Sequence, residues 1–185
     1  DDAGTGASYS ALIKSLKWVL ENAETYNIAV VNLSLGGPTY DTQAQSGPLS
    51  DLFLALANKG VIVVAASGND YEDGKKKSVY DAYGLTDASD AIDPTNWLGN
   101  QWDSLGVGYP SSDPWAMSIG STYHSNTGYY DSSEFGFKTD EDVISAYSNR
   151  DDVLTTLFAP GTLIPAAHLK NSIKSISGTS MASPI

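Results

Sequence analysis

The stretch Val61-Ile62-Val63-Val64-Ala65-Ala66-Ser67-Gly68-Asn69 sets the first expectation about the fold. Its first six residues are apolar and rich in β-branched side chains, which is typical of a strand buried in a parallel sheet. The stretch then becomes polar, and side chains just after the carboxyl end of such a strand often form functional sites. Asn69 is therefore a candidate functional residue, although an asparagine in a polar turn is also frequent in any protein.

Helices and strands alternate on the amino-terminal side of this segment. Ser10 to Ala23 places its large apolar residues at helical spacing, and Ile28 to Leu33 is an apolar run typical of a strand covered on both faces. Leu49 to Leu56 repeats the helical spacing, and Gly60 is a natural end for that helix. This order predicts an α/β fold with right-handed crossovers in a parallel sheet. Further strands are predicted at Ala116 to Ser121 and Val153 to Phe158.

Composition limits the classes of protein to which the chain can belong. Its 185 residues suit one domain, and we find no internal repeat or low-complexity linker. The formal net charge of −12 argues against nucleic-acid binding, because no basic surface would neutralise phosphates. The chain has no cysteine, which excludes disulfides and thiolate metal sites, and it has no apolar run of membrane-spanning length.

Near the carboxyl end, Gly178-Thr179-Ser180-Met181-Ala182-Ser183-Pro184 places a serine in a tight turn of small residues. Gly178 permits a sharp turn, and the small residues that follow leave the Ser180 hydroxyl accessible. Pro184 is compatible with the first turn of a helix that begins near Ser180. Such a helix would direct backbone N–H groups at an oxyanion. A serine that caps a helix is the commoner alternative.

This heptapeptide resembles the active-site serine signature of the subtilisin-like serine proteases. Ile28 to Pro38 resembles the strand and substrate-binding edge of that family, and Val61 to Asn69 resembles the strand that ends in its oxyanion asparagine. Phe158-Ala159-Pro160-Gly161 is similar to the turn before its last active-site loop, and Tyr109-Pro110 matches a cis peptide bond. The resemblance implies a three-layer subtilisin-like α/β fold with a mainly parallel sheet and helices on both faces, incomplete in this chain.

The resemblance also implies a function, that of a serine endopeptidase acting on extended polypeptides. Ser180 would form the acyl-enzyme, and the Asn69 side chain with the Ser180 N–H would stabilise the oxyanion. No cofactor and no metal ion are implied for catalysis. Asp70 would lie at the mouth of the specificity pocket and could favour a basic substrate side chain. The implied substrate-binding residues are Gly4, Gly6, Ser34, Leu35, Gly36, Gly37, Ala66, Ser67, Gly68 and Asp70.

Two motifs of the family, Asp-Ser/Thr-Gly and His-Gly-Thr-His, do not occur in the chain. The two histidines, His124 and His168, both follow Asn69 and are expected in surface loops. We therefore expect residues 1–185 to be an interior piece of a secreted catalytic domain that is not competent alone. Its expected partners are the missing amino- and carboxy-terminal parts of that domain and a polypeptide substrate. The alternative is a catalytically inactive subtilase fold that binds peptides or supports assembly.

Residues 70 to about 108 depart from the regular alternation and suggest an insertion. Such a segment would reshape the pocket, or it would form a surface excursion with its own apolar cluster. The cluster would comprise Trp97, Leu98, Trp102 and Leu105. Acidic side chains here could supply oxygen ligands to a structural calcium ion, although their spacing matches no EF-hand and a solvated acidic face is favoured. They are Glu72, Asp73, Asp81, Asp87, Asp90 and Asp93.

Gly4-Thr5-Gly6 permits a different interpretation, because a G-x-G before a helix also occurs in dinucleotide-binding domains. No strand precedes it and the third glycine is absent. The nucleotide-binding interpretation therefore has weak support.

Overall fold

A computed structural model describes residues 8–37, 39–71, 104–125, 128–132 and 135–185. The helices are α1 (Tyr9–Tyr26), α2 (Ser50–Asn58) and α3 (Thr179–Ala182). The strands are β1 (Val30–Leu33), β2 (Ile62–Ala66), β3 (Ala116–Thr122), β4 (Gly128–Ser132), β5 (Phe135–Thr139), β6 (Thr155–Pro160), β7 (Ile164–His168) and β8 (Ser172–Ile176). Gly4, Gly6, the six acidic residues of the proposed insertion and its Trp97, Leu98 and Trp102 lie outside the described residues.

The central sheet has the order β1-β2-β3-β6, and every neighbouring pair of strands is parallel. The pairing places Leu33 beside Ala65 and Ala66 beside Ile119, so the carboxyl ends of β1, β2 and β3 meet at one edge. The predicted parallel sheet is confirmed. Its geometry brings together the segments that follow β1 and β2, which contain candidate residues predicted from the sequence.

The hydrophobic core lies between this sheet and the first two helices. Leu16 of α1 and Phe53 of α2 are both buried, and they pack with apolar side chains of β1 and β2. Burying one side chain of this size contributes about 1.5–3 kcal/mol. The core consists of Leu16, Ala23, Leu33, Leu49, Phe53, Leu56, Val61, Val63 and Ala65. This packing fixes the strands whose ends form the site.

One face of β1 and β2 is less covered than the sequence suggested. Val30 and Ile62 are adjacent in register, and they are 52% and 49% exposed. Ile62 alternates with Val61 and Val63, which point into the core. The expectation that β1 is covered on both faces is therefore wrong within the described residues, because α1 and α2 cover only the opposite face.

The start of β6 also differs from the prediction. The strand begins at Thr155, whereas Val153 lies in a turn and is 78% exposed. The Asp151 carboxylate accepts hydrogen bonds from the N–H groups of Val153 and Leu154, at 2.9 Å and 3.0 Å. These local hydrogen bonds compete with strand pairing, and β6 therefore begins two residues later than predicted.

Two antiparallel hairpins were not predicted, β4 with β5 and β7 with β8. His168 is exposed, but it is the last residue of β7, so its expected placement in a loop is wrong. His124 lies in a bend after β3 and is exposed as expected; its Nδ1 is 3.0 Å from the Thr162 carbonyl oxygen. Short strands of mixed polarity have weak periodicity, which explains why these hairpins were missed.

Candidate active site

Two backbone segments, residues 34–37 after β1 and residues 67–70 after β2, form neighbouring walls at the sheet edge. A third segment joins them: the Gly37 N–H donates to the Tyr109 carbonyl and the Gly108 N–H donates to the Ser67 carbonyl, both at 2.8 Å. A Cβ added at Gly108 would lie 2.5 Å from the Gly37 carbonyl oxygen, so only glycine fits between the walls. Gly108 was not predicted from the sequence as a residue of the site. The Tyr109-Pro110 peptide bond is cis, as expected.

Asn69 lies three residues after the end of β2, and its side chain contacts Thr179, the residue that precedes Ser180. Its Oδ1 accepts hydrogen bonds from the backbone N–H of Thr179 at 2.8 Å and from the Thr179 hydroxyl at 3.0 Å. A backbone N–H can only donate, so the atom that faces it must be the amide oxygen. The Asn69 NH2 group therefore points away from Thr179. The Thr179 hydroxyl also accepts from the Gly68 N–H at 3.2 Å.

Ser180 lies in the first turn of α3, is half-buried, and is bonded reciprocally to Ser34. The Ser180 hydroxyl donates to the Ser34 carbonyl at 3.1 Å, and the Ser34 hydroxyl donates to the Ser180 carbonyl at 2.7 Å. Asn32 extends the contact, since its amide donates to Ser34 Oγ at 2.9 Å and its Oδ1 accepts from the Ser183 hydroxyl at 2.8 Å. These bonds attach the end of β1 to the helix that carries Ser180. Asn32 and Ser183 carried no sequence signal for this role.

The turn before Ser180 is supported from the other side by the end of β6. The Gly178 N–H donates to the Gly161 carbonyl at 2.9 Å. Gly161 lies on a buried group of hydroxyls, and a Cβ at Gly161 would overlap Ser121 Oγ. These hydroxyls bond to one another and belong to Ser121, Ser145, Tyr147 and Thr162. The segments that follow β1, β2 and β6 therefore all hold the turn that carries Ser180.

The remaining predicted substrate-binding residues occupy the two walls. Ser67 is fully buried and its hydroxyl donates to the Asn149 carbonyl at 2.7 Å, so its side chain faces the interior. Ala66 is also buried, whereas Gly68 is partly exposed. Asp70 is held through its backbone, since its carbonyl accepts from the Tyr40 hydroxyl at 2.9 Å. The wall after β2 therefore presents mainly backbone groups to a ligand.

The segment behind the walls is anchored to α2. The Leu49 N–H donates to the Tyr109 hydroxyl at 2.9 Å, and burial raises the pKa of that hydroxyl above its ordinary value. Asp113 is buried beside it and accepts from the Trp115 N–H at 3.0 Å and from the Ser50 hydroxyl. These bonds tie the start of α2 to the residues that separate the two walls.

No metal site emerges among the described residues, where no three His, Asp or Glu side chains converge. In the same part of the chain, no helix combines the length and the apolarity that a membrane crossing requires. The Ser180 hydroxyl donates a hydrogen bond to a backbone carbonyl oxygen. The His124 ring lies within hydrogen-bond distance of the Thr162 carbonyl oxygen. What the site offers chemically is the Ser180 hydroxyl and, bonded to the preceding residue, the oriented amide of Asn69.

Comparisons with known proteins identify the family and the fold to which this chain is similar. The model of the subtilase family matches residues 2–185. A cuticle-degrading protease of Metarhizium anisopliae is 27% identical over 187 residues, which cover 100% of this chain and 34% of that protein. Subtilisin E of Bacillus subtilis (strain 168) is 27% identical over 184 residues, again 100% and 34% of the two chains. The solved structure of a cold-adapted subtilisin-like serine proteinase is 25% identical with a TM-score of 0.60, over 98% of this chain and 46% of the other.

These matches identify both the fold and the family. The chain spans about a third of the length of the curated relatives that it matches. Its parallel sheet and helices form an incomplete three-layer α/β fold of the subtilisin type. The family match extends over nearly every residue, including the turn that carries Ser180. The chain belongs to the subtilase family.

Proposed function

We propose that this chain is the part of a serine endopeptidase that carries the nucleophile, Ser180, and an oxyanion donor, Asn69. One observation carries the proposal: the Asn69 amide oxygen is bonded to Thr179, immediately before Ser180. This contact joins residues that are 110 positions apart in the sequence. It holds the Asn69 amide against the residue before Ser180, which supports a role for the NH2 group of that amide in oxyanion stabilisation.

In the proposed reaction, a base removes the proton of Ser180 while its Oγ forms a bond to the carbonyl carbon of a peptide. The carbonyl oxygen becomes negative and accepts hydrogen bonds from Asn69 Nδ2 and the Ser180 N–H. The base then protonates the leaving amine as the C–N bond breaks, and water hydrolyses the acyl-enzyme. We infer that the base, a histidine oriented by an aspartate, comes from outside this chain.

The proposed substrate is an extended polypeptide held between backbone edges. Residues 34–37 would pair with its main chain, while Ala66, Ser67 and Gly68 would line the pocket for the side chain before the scissile bond. Gly4 and Gly6 would supply the opposite edge. Asp70, at the end of the pocket wall, would favour a basic side chain through its negative charge.

We further propose that the chain packs against the remainder of its catalytic domain. Its relatives are about three times as long, and Val30 and Ile62 present an incompletely covered apolar face. Burying such surface is favourable in water. An extracellular location, a structural calcium ion and cofactor-free catalysis follow from the family resemblance and belong to the same proposal.

The test is covalent labelling of the full-length protein with a fluorophosphonate probe, which reacts with activated serines. We expect mass spectrometry to find the probe on Ser180, and Ser180→Ala to lose it while remaining folded. Ser177→Ala is the matched control, because the Ser177 hydroxyl accepts a hydrogen bond from the Leu163 N–H at 2.9 Å and has no proposed catalytic role. It should label normally.

If a control protease is labelled and this protein is not, the proposed hydrolase function fails. The inactive peptide-binding module would then be the remaining interpretation of the fold.

A further inference from the structure

Asn149 is a fully buried polar residue in the loop before β6, opposite the segment that carries Asn69. Its backbone N–H donates to the Gly68 carbonyl at 2.9 Å, and its carbonyl accepts from the Ser67 hydroxyl at 2.7 Å. Its side-chain Oδ1 accepts from the Asp70 N–H at 2.9 Å. Asn149 therefore contacts the residues on both sides of Asn69 with three separate hydrogen bonds.

The Asn149 side chain also packs closely against Gly68. A Cβ at Gly68 would be 2.5 Å from Asn149 Nδ2 and 3.0 Å from its Cγ. Three residues after Gly68, the Tyr71 N–H donates to the Tyr147 carbonyl at 3.1 Å. The contact thus continues as a short backbone pairing along the wall after β2, and the wall cannot shift without breaking several bonds.

Within the described part of the chain, only the oxygen of the Asn149 side-chain amide forms a hydrogen bond. Oδ1 is bonded to the Asp70 N–H, while the buried Nδ2 has no hydrogen-bond acceptor there. Burying an amide donor without an acceptor is unfavourable. The acceptor function of Oδ1 is what distinguishes asparagine from leucine at this position, since the two side chains have nearly the same shape.

Asn69 is consequently held from two directions. Thr179 fixes the orientation of its side chain, while Asn149 fixes the backbone that carries it. We propose that Asn149 is a positioning residue that sets the location of the Asn69 oxyanion donor. The inference rests on the proposed function. A small displacement of a preorganised donor weakens transition-state stabilisation more than substrate binding.

The test uses the full-length protein and a chromogenic peptide substrate. Asn149→Leu keeps the shape and removes the acceptor, and we expect kcat to fall about tenfold with KM changed less than about twofold. Ser118→Ala is the matched control: Ser118 is also fully buried, its hydroxyl bonds to that of Ser111 at 2.6 Å, and its loss should leave kcat unchanged. If Asn149→Leu does not fold, Asn149→Ser removes the same contact with a smaller side chain.

A double-mutant cycle separates positioning from general destabilisation. Because Asn149 acts through Asn69, the pair Asn69→Ala and Asn149→Leu should have a kcat within about twofold of Asn69→Ala alone. Hydrogen–deuterium exchange of the peptide that covers residues 67–71 should become faster in Asn149→Leu. Multiplicative losses in the double variant, or an unchanged kcat despite faster exchange, would overturn the inference while leaving the peptidase function intact. A wild-type protein without peptidase activity would overturn both.

Discussion

Thr179 donates both its backbone N–H and its hydroxyl to the side-chain oxygen of Asn69, at 2.8 Å and 3.0 Å. An amide oxygen that accepts two donors has little freedom to rotate. The NH2 group on the other side of that amide is therefore held in one direction before any substrate arrives. Preorganisation of this kind lets a hydrogen-bond donor act on a transition state without first being reordered.

Replacing Thr179 with valine should test this constraint. Thr179→Val keeps the shape of the buried side chain but removes its bond to Asn69 and leaves the Gly68 N–H without the hydroxyl. We expect the free energy of unfolding to fall by about 1–3 kcal/mol and kcat to fall about tenfold. Denaturant unfolding and peptide hydrolysis measure the two effects. Thr179→Ser retains the hydroxyl and should resemble wild type; equal behaviour of the two variants would contradict the role of that hydroxyl.

Gly68 combines a left-handed backbone with a close neighbour, and replacing it with alanine should be costly. Its φ is +114°, and an added Cβ would lie 2.5 Å from Asn149 Nδ2. We expect Gly68→Ala to lower the free energy of unfolding by about 2–4 kcal/mol. Gly60→Ala is the control, because Gly60 has a φ of +76° with nothing within 4 Å of an added Cβ. A loss no larger than that of the control would show that the overlap with Asn149 is relieved at little cost.

Tyr109 should make the stability of the domain depend on alkaline pH. Burial is the largest cause of its raised pKa, and the Leu49 N–H bond opposes that shift. The folded state therefore favours the neutral phenol, and this contribution is present below the unfolded pKa of about 10. It is lost as pH rises through the higher folded value.

Urea unfolding between pH 8 and pH 11 measures this dependence. Tyr109→Phe should be less stable at pH 8, because the Leu49 N–H loses its acceptor. Its free energy of unfolding should then decline less steeply above pH 10 than that of wild type. Parallel declines in the two proteins would assign the alkaline effect to other groups.

The parallel sheet could be predicted from sequence because its strands are apolar, β-branched runs separated by helical periodicity. Val61 to Ala66 and Ala116 to Ser121 agree with β2 and β3 within one residue at each end. Their order also places the segments after β1 and β2 at one edge. The proximity of Asn69 to the Ser180 turn follows from this topology, while the catalytic roles of the two residues remain predictions.

The supporting contacts could not be predicted in the same way. The Asn149 carbonyl accepts a hydrogen bond from Ser67, which lies 82 positions earlier in the sequence. Neither residue belongs to a local pattern that would indicate its partner. Gly108 lies between residues 34–37 and residues 67–70, which are brought together only by the folded sheet. Hydrogen bonds of this kind depend on tertiary geometry, whereas periodicity and turn chemistry are local properties of the chain.

We infer that the Asn69 amide stabilises the oxyanion formed when Ser180 attacks a peptide. Its most direct test is the steady-state kinetics of Asn69→Ala in the full-length enzyme. We expect kcat to fall by about 10²–10³-fold, the range known for removing one such donor from subtilisin, with KM little changed. An unchanged kcat, or an effect confined to KM, would exclude Asn69 as an oxyanion donor.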